Sequence, residues 1–290
     1  MFRNAYEKYY GGVDRYFTPF ITPHTKKNMD TREKRDILPE NNKGINLIPQ
    51  VLTNKSEELI SISRELQDYG YKEINLNIGC PSKTVTAKGK GSAFLEHPKE
   101  LERFFDEYFS ATDVGLSIKT RIGMWDTLES EMLFAVFEKF PFTEVIIHAR
   151  LGCEFYGGTP HRDVFEAYGK SSRQSLCYNG DIATKGQLEE LNQKWDFCDK
   201  YMLGRGLIAN PGLLSDGGKE QELENFRRFH NEILEGYASY LSGDRPTLFH
   251  MKELWGYWSC QFTGEEKGLK QIKKSSSLRE YMVAVEQVLG

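Results

Sequence analysis

The sequence predicts an α/β protein built on a TIM (β/α)8-type barrel and followed by a helical C-terminal domain. Short β-branched runs alternate with helix-like stretches, which favours a parallel sheet. Polar or reactive residues end most of these runs, and after about residue 215 only helical patterns follow. We therefore expect a catalytic barrel over residues 1–215 and a helical domain over residues 216–290.

Size and composition agree with this prediction. A chain of 290 residues and 33.5 kDa can hold one barrel of roughly 200–250 residues and a small appendage. Its 39% hydrophobic residues, including 18 Phe and 15 Tyr, suffice for a core and exclude global disorder. The net charge of −4 does not indicate a nucleic-acid binder, so local clusters of Lys and Arg must be considered instead.

The cysteines and the N-terminus indicate the compartment. Five widely spaced cysteines without a C-x-x-C pair argue against a disulfide scaffold or structural zinc, and no histidine shows ligand spacing, so no metal is expected. The opening MFRNAYEKYYGG has neither a signal-peptide core nor a membrane span. We expect a cytoplasmic protein that contacts no membrane, and we infer no obligate protein partner.

Seven runs read as barrel strands. They cover residues 13–21, 45–52, 73–80, 116–122, 144–150, 175–182 and 200–207. Four intervening stretches have the three- and four-residue apolar spacing of amphipathic helices, namely residues 56–70, 98–110, 128–140 and 184–195. A closed ring needs eight strands. Because the chain opens with a helical pattern, FRNAYEKYY, the first strand is predicted to be missing.

Reactive residues stand at the C-terminal ends of the predicted strands, where a TIM barrel forms its active site. An open doubly wound sheet also binds ligands at such ends, but polar signals on this many strands favour a closed ring. The residues are Gln50, Cys80, Lys119, His148, Asn179 and Arg205.

Cys80 and Lys119 carry the most specific chemistry. Pro81 turns the chain after Cys80, and a free thiol that is protonated at neutral pH suits a general acid as well as a nucleophile. The alternative is a small buried hydrophobe, which the flanking Asn77 and Gly79 disfavour. Lys119 lies on an apolar strand and needs an anionic partner such as the N1/O2 edge of a reduced flavin; the alternatives are a surface lysine or an ion pair.

Glycine turns end the last two predicted strands. Asn179-Gly180-Asp181 and Gly204-Arg205-Gly206 fit the phosphate site that barrel enzymes build after strands 7 and 8, although each is also an ordinary turn signal. His148 alone is more often a core or surface residue than a ligand, and its position on the same edge favours a functional role.

The helical C-terminal part carries a local positive charge. The segment from Arg245 to Arg279 contains seven basic and three acidic residues. This is an excess of four positive charges in a chain that is negative overall.

These motifs together resemble the tRNA-dihydrouridine synthases over nearly the whole chain. The resemblance rests on the order and spacing of NIGCPSK at 77–83, KGKGSA at 88–93, SIKTRIG at 117–123, HAR at 148–150 with YGG at 156–158, NGD at 179–181 and GRGLIANP at 204–211.

The resemblance implies a reaction. FMN, reduced by NADPH or NADH, passes a hydride to C6 of a uridine in tRNA, and a cysteine protonates C5. By this resemblance Cys80 is the acid, Asn77 lies near the flavin and the uracil, and the basic helical domain grips the tRNA. The implied flavin ligands are Gln50, Lys119, His148, Asn179, Gly180, Asp181, Gly204 and Arg205.

The chain departs from the family at its start, where family members have a strand with an Ala-Pro-Met-type motif and this chain has Met1-Phe2-Arg3. We therefore expect a shortened form of an active enzyme that binds FMN poorly, because unpaired buried backbone groups cost about 1–3 kcal/mol each. Two alternatives stay open: an FMN barrel acting on a small molecule, like dihydroorotate dehydrogenase, and a non-catalytic RNA-binding relic.

Overall fold

The computed structural model describes residues 1–23 and 28–290, and contacts divide these into two compact units. The sheet unit comprises Arg15–Asp181 and Leu188–Met202. The helical unit comprises Met1–Asp14, Ile182–Gln187 and Leu203–Gly290. The predicted functional boundary at residue 215 stays a prediction.

The sheet unit contains only parallel strand pairs among its described residues. Strand β1 pairs with β2, β3 to β8 follow in sequence order, and an isolated bridge joins Ile21 to Val51. The strands are β1 Tyr16–Phe17, β2 Leu47–Ile48, β3 Gln50–Val51, β4 Glu73–Asn77, β5 Gly115–Gly123, β6 Val145–Leu151, β7 Leu176–Asn179 and β8 Lys200–Met202.

These strands match the seven predicted runs if β2 and β3 count as one. Pro49 separates them because it has no N–H for the ladder, yet its carbonyl accepts a hydrogen bond from the Asn75 N–H at 2.8 Å. The predicted run at 13–21 forms a ladder only at Tyr16–Phe17.

The two ends of the strand series converge on one carboxylate. Glu144, which precedes β6 and is buried, lies 3.6 Å from Arg15 beside β1 and 3.5 Å from Lys200 in β8. Burial, the largest cause, raises the pKa of Glu144, and the two cations oppose that effect. A residue beside the first strand and a residue in the last strand therefore share one buried carboxylate.

Helices cover the sheet by burying one apolar face. In α3, Leu59, Ile62 and Leu66 are fully buried at three- and four-residue spacing, and each contributes about 1.5–3 kcal/mol of burial. The helices that lie wholly or mostly in this unit are α2 Thr31–Ile37, α3 Ser56–Asp68, α4 Lys83–Thr86, α5 Pro98–Ala111, α6 Glu129–Phe137, α7 Arg162–Gly169 and α8 Lys185–Lys194.

The helical unit joins the N-terminal helix to the C-terminal helices. Phe2 and Tyr6 make edge contacts with Phe229 at centroid distances of 5.3 and 6.4 Å. The helices are α1 Phe2–Tyr9, α9 Arg205–Ala209, α10 Lys219–Tyr240, α11 Asp244–Trp258, α12 Glu266–Lys274 and α13 Leu278–Leu289. Within the described ranges, no helix has the length and apolar content that crossing a membrane demands.

Candidate active site

Strand register brings four predicted site residues to one edge of the sheet. Asn77 at the end of β4 is the register partner of Lys119 in β5, and His148 in β6 is the partner of Asn179 at the end of β7. Because side chains alternate along a strand, residues two apart on β5 or β6 point to the same face. The functional roles of these residues stay predictions.

Lys119 is a cation that forms no ion pair within the described residues. Its Nζ donates to Asn179 Oδ1 at 3.0 Å, and the Asn179 amide donates in turn to the Met202 carbonyl at 2.8 Å. Among the residues that the structure describes, no carboxylate forms an ion pair with Lys119. Burial, with a smaller contribution from nearby Arg121, lowers the pKa of Lys119 to about 8.

This environment fits an anionic ligand. A half-buried ammonium whose pKa is depressed gains stability from a negative charge placed beside it. The phosphate of FMN or the N1/O2 edge of its reduced ring would supply that charge, so the residues present are compatible with the flavin that the sequence implies.

A second group of site residues holds the loop that carries Cys80. The Asn77 Oδ1 accepts hydrogen bonds from the Gly79 and Cys80 N–H groups at 3.1 and 3.0 Å. The Asn77 amide donates to Gln50 Oε1 at 2.8 Å. Gln50 and Asn77 are buried, whereas Cys80 is half-buried. The thiol therefore sits on a fixed backbone while remaining partly accessible.

The segment after Cys80 packs against it from the other side. The Ser92 N–H donates to the Cys80 carbonyl at 3.0 Å. Gly91 has a φ of +62°, and a Cβ there would lie 2.4 Å from the Cys80 carbonyl oxygen. Only glycine fits this position, which gives a physical reason for the second glycine of the KGKG sequence.

Arg121 is a site residue that the sequence analysis missed. Its guanidinium is 1% exposed and donates to the carbonyls of Gly79, Leu151 and Phe155 at 2.8, 2.7 and 2.7 Å. It thereby ties the Cys80 loop to the segment that follows β6. Its position two residues after Lys119 on one strand was the available signal.

Arg150, two residues after His148, was also missed. It pairs with both carboxylate oxygens of Asp181, and its Nη1 lies 3.1 Å from His148 Nε2. It also donates to the carbonyls of Gly157 and Gly158 at 2.9 and 2.8 Å. Asp181, a predicted flavin ligand, is therefore already engaged by a buried arginine.

The predicted phosphate turns lie in different units. Gly180 in the sheet unit has a φ of +152°, and a Cβ there would meet the Tyr178 hydroxyl at 2.9 Å. Gly204 and Arg205 lie in the helical unit, where Arg205 begins α9. Gly206 packs so closely that a Cβ would lie 2.1 Å from the Ile182 carbonyl oxygen. A phosphate site shared by the two turns stays a prediction.

Two solved structures share the fold of this chain. Histamine dehydrogenase from Rhizobium sp. 4-9 matches with a TM-score of 0.54 and 9% identity, over 79% of this chain and 43% of that one. A variant of NCR from Zymomonas mobilis matches with a TM-score of 0.51 and 11% identity, over 79% of each chain. Together with the parallel strand order, this likeness confirms the predicted α/β fold of TIM-barrel type with a helical C-terminal region.

Curated relatives are similar in sequence. A probable tRNA-dihydrouridine synthase of Staphylococcus aureus is 31% identical over 254 residues, covering 83% of this chain and 72% of the relative. Its counterpart in Staphylococcus epidermidis is 27% identical over 251 residues with the same coverage. One from Rickettsia conorii is 31% identical over 180 residues, covering 59% of this chain and 54% of the relative.

The family comparison covers almost every residue. The family model described as dihydrouridine synthase (Dus) matches residues 2–287, which include the whole sheet unit and all but the terminal residues of the helical unit. This match confirms the resemblance inferred from the motifs, and the chain belongs to the dihydrouridine synthase family.

Proposed function

We propose that this protein is a tRNA-dihydrouridine synthase that reduces the C5–C6 bond of uridines in tRNA, with FMN as cofactor, NADPH or NADH as reductant and Cys80 as proton donor. Family membership and the names of the curated relatives support the reaction class. One observation carries the assignment to this site: the half-buried Cys80 thiol follows the end of β4, and the Lys119 ammonium, which forms no ion pair with a described carboxylate, lies on the neighbouring β5 at the same sheet edge.

Different residues of the protein would bind the cofactor and transfer the proton. Bound FMN would supply the hydride that reaches C6 of the uracil. The Lys119 ammonium would neutralise negative charge on the cofactor, and Asn179 would hold that ammonium in place. The Cys80 thiol would give its proton to C5, so that hydride and proton together complete the reduction.

The substrate must bring its base to this edge. A uridine inside a folded tRNA has to be flipped out of its stack, which costs a few kcal/mol. The Asn77 oxygen already accepts two backbone N–H groups and its nitrogen donates to Gln50, so its remaining capacity is one N–H donor. That donor suits a carbonyl oxygen of the uracil or the flavin.

The helical unit would contact the tRNA backbone. Four lysines of α12 are exposed, and none forms an ion pair with a carboxylate of the described residues: Lys267, Lys270, Lys273 and Lys274. The opposite side of α12 is buried through Gly268 and Ile272. A helix with one buried face and one cationic face is suited to bind phosphates by charge and shape. The proposed tRNA substrate supports a cytoplasmic location.

The test is reduction of tRNA by the purified chain. With FMN, NADPH and tRNA from a strain that lacks the gene, mass spectrometry should find uridines that have gained two hydrogens. Replacing Cys80 by Ala should lower this rate by about 10²–10⁴-fold, the usual contribution of a general acid. The control is Cys260→Ala, because Cys260 is an exposed thiol of the helical unit.

Two outcomes would contradict the proposal. If the wild-type protein binds FMN and oxidises NADPH but leaves every uridine unchanged, a small-molecule substrate takes its place. If Cys80→Ala reduces tRNA as fast as Cys260→Ala, Cys80 is not the proton donor.

A further inference from the structure

We infer that Asn75 and Ser117 are positioning residues for Cys80, acting through a head-to-tail chain of hydrogen bonds across three strands. This inference rests on the proposed function, because it gives the Cys80 thiol its role in proton transfer. Asn75 lies outside the motifs named above and Ser117 opens SIKTRIG without having been assigned a role, and neither bonds directly to Cys80 in the part of the protein that the structure describes.

The chain of hydrogen bonds begins at the backbone carbonyl of Ile74. The Ser117 hydroxyl donates to the Ile74 carbonyl at 3.2 Å and accepts from the Asn75 amide nitrogen at 3.0 Å. Asn75 and Ser117 are register partners on β4 and β5, so their side chains lie side by side.

The chain continues through two more amides. The Gln50 nitrogen donates to Asn75 Oδ1 at 2.8 Å, and the Asn77 nitrogen donates to Gln50 Oε1 at 2.8 Å. Gln50 on β3 is the register partner of Asn75, which places three strands in one hydrogen-bonded row. The chain ends where Asn77 Oδ1 accepts from the Gly79 and Cys80 N–H groups.

Both ends of the chain are fixed by backbone atoms, and this determines its direction. A carbonyl can only accept and an N–H can only donate, so the hydroxyl and the three amides between them have one consistent set of orientations. If Ser117 lost its hydroxyl, Asn75 would lose its acceptor and could rotate. The Gln50 and Asn77 amides would then lose their directional constraint in turn.

Burial makes this constraint strong. Asn75 and Ser117 are both 0% exposed, and Gln50 and Asn77 are 7% and 8% exposed, so bulk water cannot replace a lost partner. A buried donor or acceptor that loses its partner costs about 1–3 kcal/mol, and linked hydrogen bonds strengthen one another at low dielectric. A change at Ser117 should therefore be felt at the Cys80 backbone.

The test compares two buried serines. Ser117→Ala removes a hydroxyl that belongs to the hydrogen-bond chain. Ser63→Ala removes an equally buried hydroxyl on α3 that donates to the Ile60 carbonyl and does not belong to the hydrogen-bond chain. Ser117→Thr keeps the hydroxyl and serves as the rescue. Asn75→Leu interrupts the chain one step closer to Cys80.

Two readouts separate positioning from mere stability. The first is kcat against KM for tRNA reduction by the FMN-loaded enzyme. The second is the iodoacetamide alkylation rate of Cys80, measured in a background where the exposed Cys153 and Cys260 are Ser. Alkylation needs no turnover and follows the orientation and environment of the thiol.

We expect Ser117→Ala and Asn75→Leu to lower kcat by about 10- to 100-fold at nearly unchanged KM, since a small displacement of a reacting group has effects of that size. The Cys80 alkylation rate should change by several-fold in the same variants. Ser63→Ala and Ser117→Thr should match the wild type in both readouts.

The inference is overturned if Ser117→Ala matches Ser63→Ala in both kcat and alkylation rate, or if kcat falls while alkylation does not change. The first result leaves the proposed function intact provided that Cys80→Ala is inactive. If instead Cys80→Ala turns over normally while Ser117→Ala still changes the alkylation rate, the hydrogen-bond chain positions Cys80 but the proposed role of Cys80 is wrong.

Discussion

The polar residues around Lys119 in the sheet unit and around His230 in the helical unit differ in how many of their hydrogen-bonding groups have partners. In the helical unit, Trp255 Nε1 donates to the Tyr281 hydroxyl at 2.8 Å, and that oxygen lies 2.6 Å from His230 Nε2. The other ring nitrogen of His230 lies 2.9 Å from Asn231 Oδ1. This cluster leaves neither ring nitrogen of His230 without a partner.

The group around Lys119, by contrast, retains N–H groups that have no acceptor among the described residues. Lys119 has three N–H donors and one described hydrogen bond, to Asn179. Asn77 keeps one N–H, and the Cys80 thiol remains half-buried. A closed polar cluster specifies packing, whereas several spare donors grouped beside a half-buried thiol fit a ligand; a lone buried donor without a partner, such as Trp258 Nε1 of the helical unit, does not.

The largest predicted effect is a loss of stability in the closed cluster of His230, Trp255 and Tyr281. Tyr281→Phe removes one hydroxyl and leaves both Trp255 Nε1 and His230 Nε2 without their partner. We expect a loss of about 2–4 kcal/mol in the free energy of unfolding, measured by urea denaturation. Tyr257→Phe, at an exposed tyrosine of the same unit, is the control. Equal stability of the two variants would contradict the closed-cluster interpretation.

A slightly smaller effect should appear beside Cys80. Gly91→Ala places a methyl group against the Cys80 carbonyl at a positive φ, and we expect a loss of about 2–3 kcal/mol with reduced turnover. Gly186→Ala is the matched control, because nothing lies within 4 Å of its Cβ position in α8. If both variants behave alike in thermal unfolding and turnover, the packing around Cys80 is looser than described.

The opposite sign is expected at Lys119. Lys119→Met should stabilise the flavin-free protein at pH 7 by about 1–2 kcal/mol while abolishing flavin binding, because it removes a half-buried charge that no carboxylate of the described residues pairs with. The pKa of Lys119 is about 8 when folded and 10.5 otherwise, so the unfolded chain binds more protons between these values. The wild type should therefore gain stability from pH 8 to 10.5 and approach the variant.

Thermal unfolding and flavin titration check this prediction. Lys99→Met, at an exposed lysine of α5, should change neither quantity appreciably. If Lys119→Met were less stable than the wild type, the role of Lys119 would be to stabilise the fold and not to bind a ligand.

The smallest effect concerns pH in the helical unit. Burial lowers the pKa of His230 from 6.5 to about 4, so His230 is neutral when folded and takes up a proton on unfolding below pH 6.5. The free energy of unfolding should fall by about 1 kcal/mol between pH 7 and 5.5 through this residue. His230→Gln should remove that share of the pH dependence, measured by urea denaturation at both values; an unchanged slope would contradict it.

Much of the fold could be predicted because alternating apolar runs are visible in the sequence. The predicted runs at 116–122 and 144–150 agree with β5 and β6 to within one residue. The predicted run at 13–21 is interrupted, because Pro19 has no N–H for a ladder: regular pairing covers Tyr16–Phe17, and Ile21 forms only an isolated bridge to Val51.

The candidate site was predictable only in part. Residues with reactive side chains at strand ends, such as Cys80 and Lys119, attract notice from the sequence. Asn75 and Ser117 do not, because their importance depends on which residues face each other across parallel strands. That register joins residues far apart in the sequence, such as Asn75 and Ser117, so no local pattern reveals it.

The three carbonyls held by Arg121 have a consequence for how this enzyme could change. One side chain anchors both the loop bearing the thiol and the segment around Phe155, so the two cannot be remodelled independently. Attempts to graft a new specificity by exchanging residues 152–158 should preserve the acceptor geometry at Leu151 and Phe155. Otherwise the same exchange would loosen Gly79 and displace the loop that carries Cys80.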